Sequence, residues 1–312
     1  TLSLWNNQIG DDGAQALAHA LQTKSSLSTL DLRENQIGDD GAQALANALQ
    51  TNSSLTELNL GFNQIGDDGA QALATALQTN SSLTELNLVK NEIGDDGAQA
   101  LAHALHTNST LRELDLDSNQ IGDECAKVLA HALEHNTTLR KLELRWNQIG
   151  DALDKLINSM IDRNEKEIPP LHWAVMEHHT DIVQHLLDTG ADTLATHDGK
   201  TPLDIATEKG YQDIVDLLKA ASKPPEVVQL PEPPANHGAE AEDRPPIQQV
   251  SITREEFIQQ IEGFKTSKPK FHKQLLQVFD NDPSLRELDL DSNQIGDECA
   301  KALANALQTN SS

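Results

Sequence analysis

The chain has 312 residues, a net charge of −26 and only nine aromatic side chains: three Trp, one Tyr and five Phe. That charge argues against nucleic acid, whose phosphates call for clustered Lys and Arg, and against anionic membrane surfaces. It leaves basic protein partners open.

A repeat runs from the first residues. LTELNLGFNQIGDDGAQALATALQTNSS (Leu55–Ser82) is followed by LTELNLVKNEIGDDGAQALAHALHTNST (Leu83–Thr110), a step of 28 residues, and units also start at Leu27, Leu111, Leu139 and Leu285. So regular a period predicts a solenoid whose units bury their apolar faces against one another. In each unit the LxxLxL segment alternates apolar and polar residues, as a short strand does. An Asn follows at a fixed place: Asn7, Asn35, Asn63, Asn91, Asn119, Asn147 and Asn293. Buried there, it can bond the turn leaving the strand. The GDDGAQALAxAL segment reads as a helix with Ile37, Ala42, Leu45 and Leu49 as its inward stripe. Asp40 and Gln43 have capping-box spacing, and paired aspartates suit the positive end of a helix dipole.

The LxxLxLxxNxIGDxGAxxLAxAL unit resembles the ribonuclease-inhibitor-type leucine-rich repeat, shared with the sensor arms of NOD-like receptors and with Ran GTPase-activating proteins. The resemblance covers Thr1 to about Lys166 and again Leu285–Ser312. It implies an α/β solenoid, a horseshoe with parallel strands inside and helices outside.

The unit from Leu139 decays. Its helix, DALDKLINSMIDRNEKE, swaps small residues for large and charged ones, as a terminal repeat would. Pro169–Lys200 and Thr201–Ala221 then look like two ankyrin repeats, with a TPLH-like opening, a D-I-V-x-x-L-L second helix and a G-A-D turn. Pro169 stands where the family has Thr, and His178 where it has Gly. The implied organisation is leucine-rich repeats over 1–166, then an all-α ankyrin pair over 167–221 that leans on the end of the first block. A Pro- and acid-rich linker is expected over 222–250. Residues 251–312 read as a helical cap and the start of a second leucine-rich block. The cap begins at Thr253 with a capping-box helix carrying Phe257, Ile258, Ile261 and Phe264. A second cap helix spans Lys270–Phe279, with Leu275 and Phe279 in core slots. LRELDLDSNQIGDECAK occurs twice, from Leu111 and from Leu285. The chain opens inside a repeat and stops on a repeat boundary, so it reads as a piece of a longer protein.

Two motifs suggest chemistry and are better explained otherwise. His131-Ala-Leu-Glu-His135 fits the inverted zinc-protease pattern H-x-x-E-H, but the units reading ANALQT and ATALQT carry Asn or Thr at those helix positions. Asp115-Leu-Asp117-Ser-Asn119 opens like a calcium loop, which needs Gly at its sixth position and Glu at its twelfth. Gln120 and Ala126 stand there. No catalytic, cofactor or metal site is assigned. Cys125 and Cys299 fill the same slot in distant repeats, so no disulfide framework is expected and a reducing, cytoplasmic compartment fits. No apolar run nears the ~18 residues of a membrane span, and no signal peptide is visible.

The informative positions are those that vary between units, the two residues before each Asn: Trp5/Asn6, Arg33/Glu34, Gly61/Phe62, Val89/Lys90, Asp117/Ser118 and Arg145/Trp146. Strand alternation points the first of each pair to the inner face and sets the second at its lip. Trp and Arg are favoured binding anchors. The candidate partner-binding set is Trp5, Arg33, Glu34, Phe62, Val89, Lys90, Asp117, Lys141, Arg145 and Trp146. The inner face is acidic at Glu57, Glu85, Glu113, Asp115 and Asp117, then basic at Lys141 and Arg145. The resulting reading is a non-enzymatic protein-recognition scaffold or sensor module, in the cytoplasm or, for a secreted bacterial effector, in host cytosol. Alternatives are a regulator of the Ran GTPase-activating-protein kind, or the sensing arm of a larger receptor or effector.

Overall fold

The structure, a computed structural model, describes residues 1–24, 26–221, 273–274, 276–278 and 287–309. It divides into two compact units, Thr1–Trp173 with Ile252–Ser312, and Ala174–Ser251. The expected linker at 222–250, the Thr253 helix, and Leu275 and Phe279 lie outside the described residues.

In the first unit each repeat supplies a short strand and a helix. They are β1 (Leu2–Ser3), α1 (Asp11–Lys24), β2 (Thr29–Asp31), α2 (Asp39–Leu49), β3 (Glu57–Asn59), α3 (Asp67–Leu77), β4 (Glu85–Asn87), α4 (Asp95–Thr107), β5 (Glu113–Asp115), α5 (Asp123–His135), β6 (Lys141–Glu143) and α6 (Asp151–Glu165). The strands form one parallel sheet with the helices stacked alongside in the same order. The register aligns Leu30, Leu58, Leu86, Leu114 and Leu142, all buried. Strand alternation then exposes Glu57 and Asn59 on the opposite, open face. Ile37, Ala42, Leu45 and Leu49 are at most 1 % exposed, so the predicted helix stripe is the core.

Three side-chain ladders join the repeats. The first is the expected one: Asn35 Nδ2 donates to Leu32 O in its own repeat and to Leu4 O in the repeat before, while its Oδ1 accepts from Ile9 N. The second runs through the loop after each helix, where Asn80 donates to Leu49 O and Asn52 O and accepts from Leu83 N. The third replaces the expected capping box. Gly38, not an aspartate, is the N-cap of α2 and has no side-chain cap. The first aspartate of each helix instead reaches the next repeat: Asp39 Oδ1 accepts from Gly66 N and Gly69 N at 2.8 and 2.9 Å. The glycine makes room, since a Cβ on Gly69 would lie 2.7 Å from Asp39 Oδ1 and 2.8 Å from Ile65 Cγ2. Gly69→Ala is therefore expected to destabilise by about 1–3 kcal/mol, the usual effect of overpacking a tight contact. Urea denaturation would read this as a lower midpoint, and an unchanged midpoint would show that the joint yields freely.

The C-terminal repeat, β7 (Leu288–Asp289) and α11 (Asp297–Thr309), does not stand apart as the opening of another array. It pairs with β1 and precedes it in the same sheet, giving the order β6-β5-β4-β3-β2-β1-β7. The joint repeats the internal ones: Asn7 donates to Leu290 O and accepts from Ile295 N, and Asp297 Oδ1 accepts from Gly10 N and Gly13 N.

The decayed sixth repeat has its own closure. Arg163, in the charged helix of this repeat, is 1 % exposed. Its guanidinium donates to Leu133 O, Asn136 O and Asn164 Oδ1 and sits 5.6 Å from the Trp173 ring centroid. Burial pushes its pKa down to about 10, against a smaller opposing pull from Glu134. Asn164 continues the loop ladder by donating to Asn136 O and Leu139 O.

After α7 (Pro170–Met176), which spans the division, the second unit contains α8 (Thr180–Asp188), α9 (Pro202–Lys209) and α10 (Gln212–Ala221), with α10 packed on α8 and α9. Thr201 and Asp204 form a capping box at the start of α9, with Pro202 in the first turn. Gly210 has φ +75°, and His178 has +61° where the ankyrin pattern has glycine. Stacking on Tyr211 at 4.0 Å and a 3.2 Å contact from His178 Nε2 to Asp213 offset the strain at that histidine.

Candidate functional site

The outward residues of each strand build the site's floor, and the turn after the strand builds its lip. Within each strand the last outward residue shapes the turn that follows. Asp31, Asn59, Asn87 and Asp115 each accept from the backbone N–H two residues on, forming Asx turns. Glu143 and Ser3 occupy that slot in two repeats. There the N–H groups of Arg145 and Trp5 turn to the neighbouring repeats' Asp117 and Asp291. Asp117 and Asp291 hold the same place in the duplicated LRELDLDSN segment, so the duplication supplies the acceptor that each of those two joints requires. Asp117 was expected on the exposed strip. It is instead 3 % exposed and accepts from Arg145 Nε at 3.0 Å, so it positions Arg145 and offers little surface of its own.

The lip residues share one backbone conformation. Asn6, Glu34, Phe62, Lys90, Ser118, Trp146 and Ser292 all have φ between +51° and +56°. That region suits Asn or Gly and disfavours bulky side chains. Trp146 occupies it nonetheless with 76 % of its surface exposed, and Phe62 with 39 %. Each aromatic of the strip also carries a cation: Arg33 lies 5.6 Å from the Trp5 ring, Lys90 4.8 Å from Phe62 and Arg145 5.6 Å from Trp146. The first two pairs join the same slot of successive repeats, so the 28-residue step between Trp5 and Arg33 and between Phe62 and Lys90 already contained them. Arg33 is held by Asp31 at 2.8 Å, a partner that sequence reading did not single out. Glu34 and Val89 are half-buried on the same strip, and Lys141 is exposed between Glu113 and Glu143 at 3.7 and 3.9 Å.

On the floor, the register sets Glu57, Glu85 and Glu113 directly beside one another, with Lys141 next in line. They line a groove of about 200 Å³ together with Thr29, Asp31, Asn59, Asn87 and Asp115. The Glu85 carboxyl is pushed above its ordinary pKa by burial first, then by Glu113 and Glu57. Asp115 is raised chiefly by burial, against the hydrogen bond from Asp117 N. A carboxyl whose folded pKa exceeds its unfolded one binds its proton more tightly when folded. The fold therefore gains stability as pH falls through the folded pKa toward the unfolded value, and loses that gain as pH rises. Glu85→Gln is expected to raise the urea midpoint at pH 7, with the gain shrinking as pH enters the glutamate range. An equal gain at neutral and acid pH would contradict the shift.

His131 Nδ1 lies 3.4 Å from Glu134 Oε1, and the His135 ring meets His106 edge-on at 5.4 Å. Both cysteines are buried thiols, and burial pushes Cys125 up to about 12. Among the described residues no helix is long and apolar enough to cross a membrane.

Comparison with known families agrees with this construction. A leucine-rich-repeat model matches residues 1–18, 23–46, 51–74 and 281–304. The leucine-rich domain of tropomodulins and leiomodins (TMOD/LMOD) matches 63–168. An ankyrin-repeat model of three copies matches 144–227, beginning inside the sixth leucine-rich unit. Among solved structures, the leiomodin-1 actin-binding site 2 is 25 % identical over 49 % of this chain and 89 % of that one, with a TM-score of 0.45. A tropomodulin C-terminal domain from Caenorhabditis elegans is 15 % identical over 50 % and 95 %, with 0.43. An internalin from Listeria monocytogenes is 25 % identical over 43 % and 46 %, with 0.28. No curated protein matches the chain. Strand, ladder and profile together make this a leucine-rich-repeat chain that also carries ankyrin repeats.

Proposed function

We propose that the chain is a non-enzymatic, intracellular scaffold that recognises a protein partner through the open face of its leucine-rich sheet and the lip beside it. The observation that carries this is Trp146, an indole largely in solvent, in a backbone conformation that bulky residues avoid, and backed by an arginine that a buried aspartate pins. Strain retained at an exposed aromatic points to use rather than packing. A fixed Trp beside an ordered Arg also loses little side-chain entropy on binding. The acidic floor and the match of residues 63–168 to the tropomodulin and leiomodin domain lend further support to a protein ligand.

The experiment is capture of partners on the immobilised full chain, with purified actin as one probe because a leiomodin segment of similar sequence is an actin-binding site. Wild type is compared with Trp146→Ala and with Leu194→Ala, which removes an exposed apolar residue of the second unit. Loss with the first variant alone supports the reading. Equal loss with both would reduce it to general stickiness, and retention with both would mean the lip is merely solvated.

A further inference from the structure

The floor of the open sheet face has a definite chemical pattern. Glu57, Glu85 and Glu113 stand side by side in register, although like charges placed directly opposite destabilise a sheet. Glu57 accepts from Thr29 Oγ1 and Glu113 approaches Lys141. The Glu85 side chain, between them and exposed, makes no hydrogen bond or ion pair among the described residues. Asn59 and Asn87 lie two residues beyond Glu57 and Glu85 on the same strands and offer neutral amides to the same groove. Phe62 stands at the lip of the third repeat with Lys90 over it, giving apolar surface beside the charge.

We infer that this face receives a basic α-helix of a protein partner, laid across the strands with Lys or Arg on successive turns over Glu57, Glu85 and Glu113 and an acidic residue one turn further over Lys141. The inference rests on the recognition reading above and names the partner's chemistry. Spacing selects the helix. Neighbouring strands lie ~4.8 Å apart, so the three glutamates span about 9.6 Å. On a helix, residues i, i+4 and i+7 span about 10.5 Å, and flexible Lys stems absorb the difference. An extended strand repeats a face only every ~6.8 Å, so three of its side chains would span about 13.6 Å and overshoot. The single Lys141 breaks the symmetry of the floor and thereby fixes which end of the basic row lies where.

The test uses the full chain and two labelled alanine-based helical peptides of identical composition. One carries Lys at i, i+4 and i+7 with Glu at i+11 on a single face, and the other distributes the same residues around the helix. Fluorescence anisotropy at fixed salt should show the one-faced peptide binding at least tenfold more tightly. Glu85→Lys should weaken it at least tenfold, while Asp40→Lys, the same charge change at an exposed helix position, should leave it within twofold. Equal affinity for the two peptides, or equal loss with both lysine variants, would overturn the inference by reducing binding to net charge. The two readings fail separately. If Trp146→Ala loses captured partners and the one-faced peptide shows no preference, the helix inference falls and the recognition reading stands. If the one-faced peptide is preferred and Trp146→Ala keeps every partner, the helix inference stands and the lip is released from its role.

Discussion

Replacing Arg163 by alanine is expected to lower stability by about 2–4 kcal/mol, because buried acceptors left without a donor cost about 1–3 kcal/mol each and do not add fully. Three acceptors, Leu133 O, Asn136 O and Asn164 Oδ1, would lose a donor within 2.6 to 2.8 Å. A fourth, weaker contact to Glu134 O at 3.4 Å would go with them. The guanidinium also fills the space beside Trp173, so truncation leaves a cavity as well as unpaired carbonyls. Lysine should recover less than half of the loss, because one ammonium cannot reproduce the planar fork that serves several acceptors at once. Each repeat contacts only its neighbours, so the damage should begin at the β6–α6 end. Hydrogen exchange would show α6 losing protection before α2 and α3, and urea titration would show an early transition. A single unshifted transition for Arg163→Ala would mean that the ladder of Asn136 and Asn164 closes this end without it.

Much of this architecture was legible because a solenoid asks the same bonds of every unit. The LxxLxL alternation, the Asn before each turn and the Ile37, Ala42, Leu45, Leu49 stripe are local patterns with one solution, and the structure has them. What escaped were features whose partners lie a whole repeat away. Asp40 has capping-box spacing with Gln43, yet it is the preceding Asp39 whose carboxylate is used, taken by the amides of Gly66 and Gly69, which no local pattern announces. Arg163 is one charged residue among several in a decaying repeat, and its burial depends on the carbonyls of Leu133 and Asn136 at the end of α5, the Asn164 amide and Trp173, which converge on it. The place of the C-terminal repeat was equally hidden, because identical joints make any neighbour acceptable by pattern alone. Its one distinguishing mark is Asp291, which supplies the acceptor that Ser3 cannot give to Trp5 N. On the candidate strip, residue identity singled out Trp5, Phe62, Arg145 and Trp146 as candidates. It did not reveal that Asp117 is buried beneath Arg145, since alternation reports direction and not the depth set by a neighbour's side chain.

Trp146 offers the sharpest separation of stability from function. Trp146→Asn should leave the melting temperature within a few degrees of wild type while costing ~2 kcal/mol or more in partner affinity, the loss expected when an aromatic anchor is removed. The stability side is a near cancellation. Asparagine tolerates a φ of +55° and so relieves strain of about 1–2 kcal/mol carried by a bulky residue there. Against this, the contact with Arg145 is lost, worth about 0.5–1 kcal/mol at an exposed site. Little burial is forfeited, because 76 % of the indole is already in solvent. Arg145 keeps its place, held by Asp117 and Glu143 at 3.0 and 3.2 Å, so a fall in affinity would report the indole itself. Thermal melting and partner titration on the same preparation decide the matter. A large drop in melting temperature would mark Trp146 as a packing residue. An unchanged melt with unchanged affinity would leave the strained indole without a use and move the search for the partner's anchor to Phe62, the other exposed aromatic of the lip.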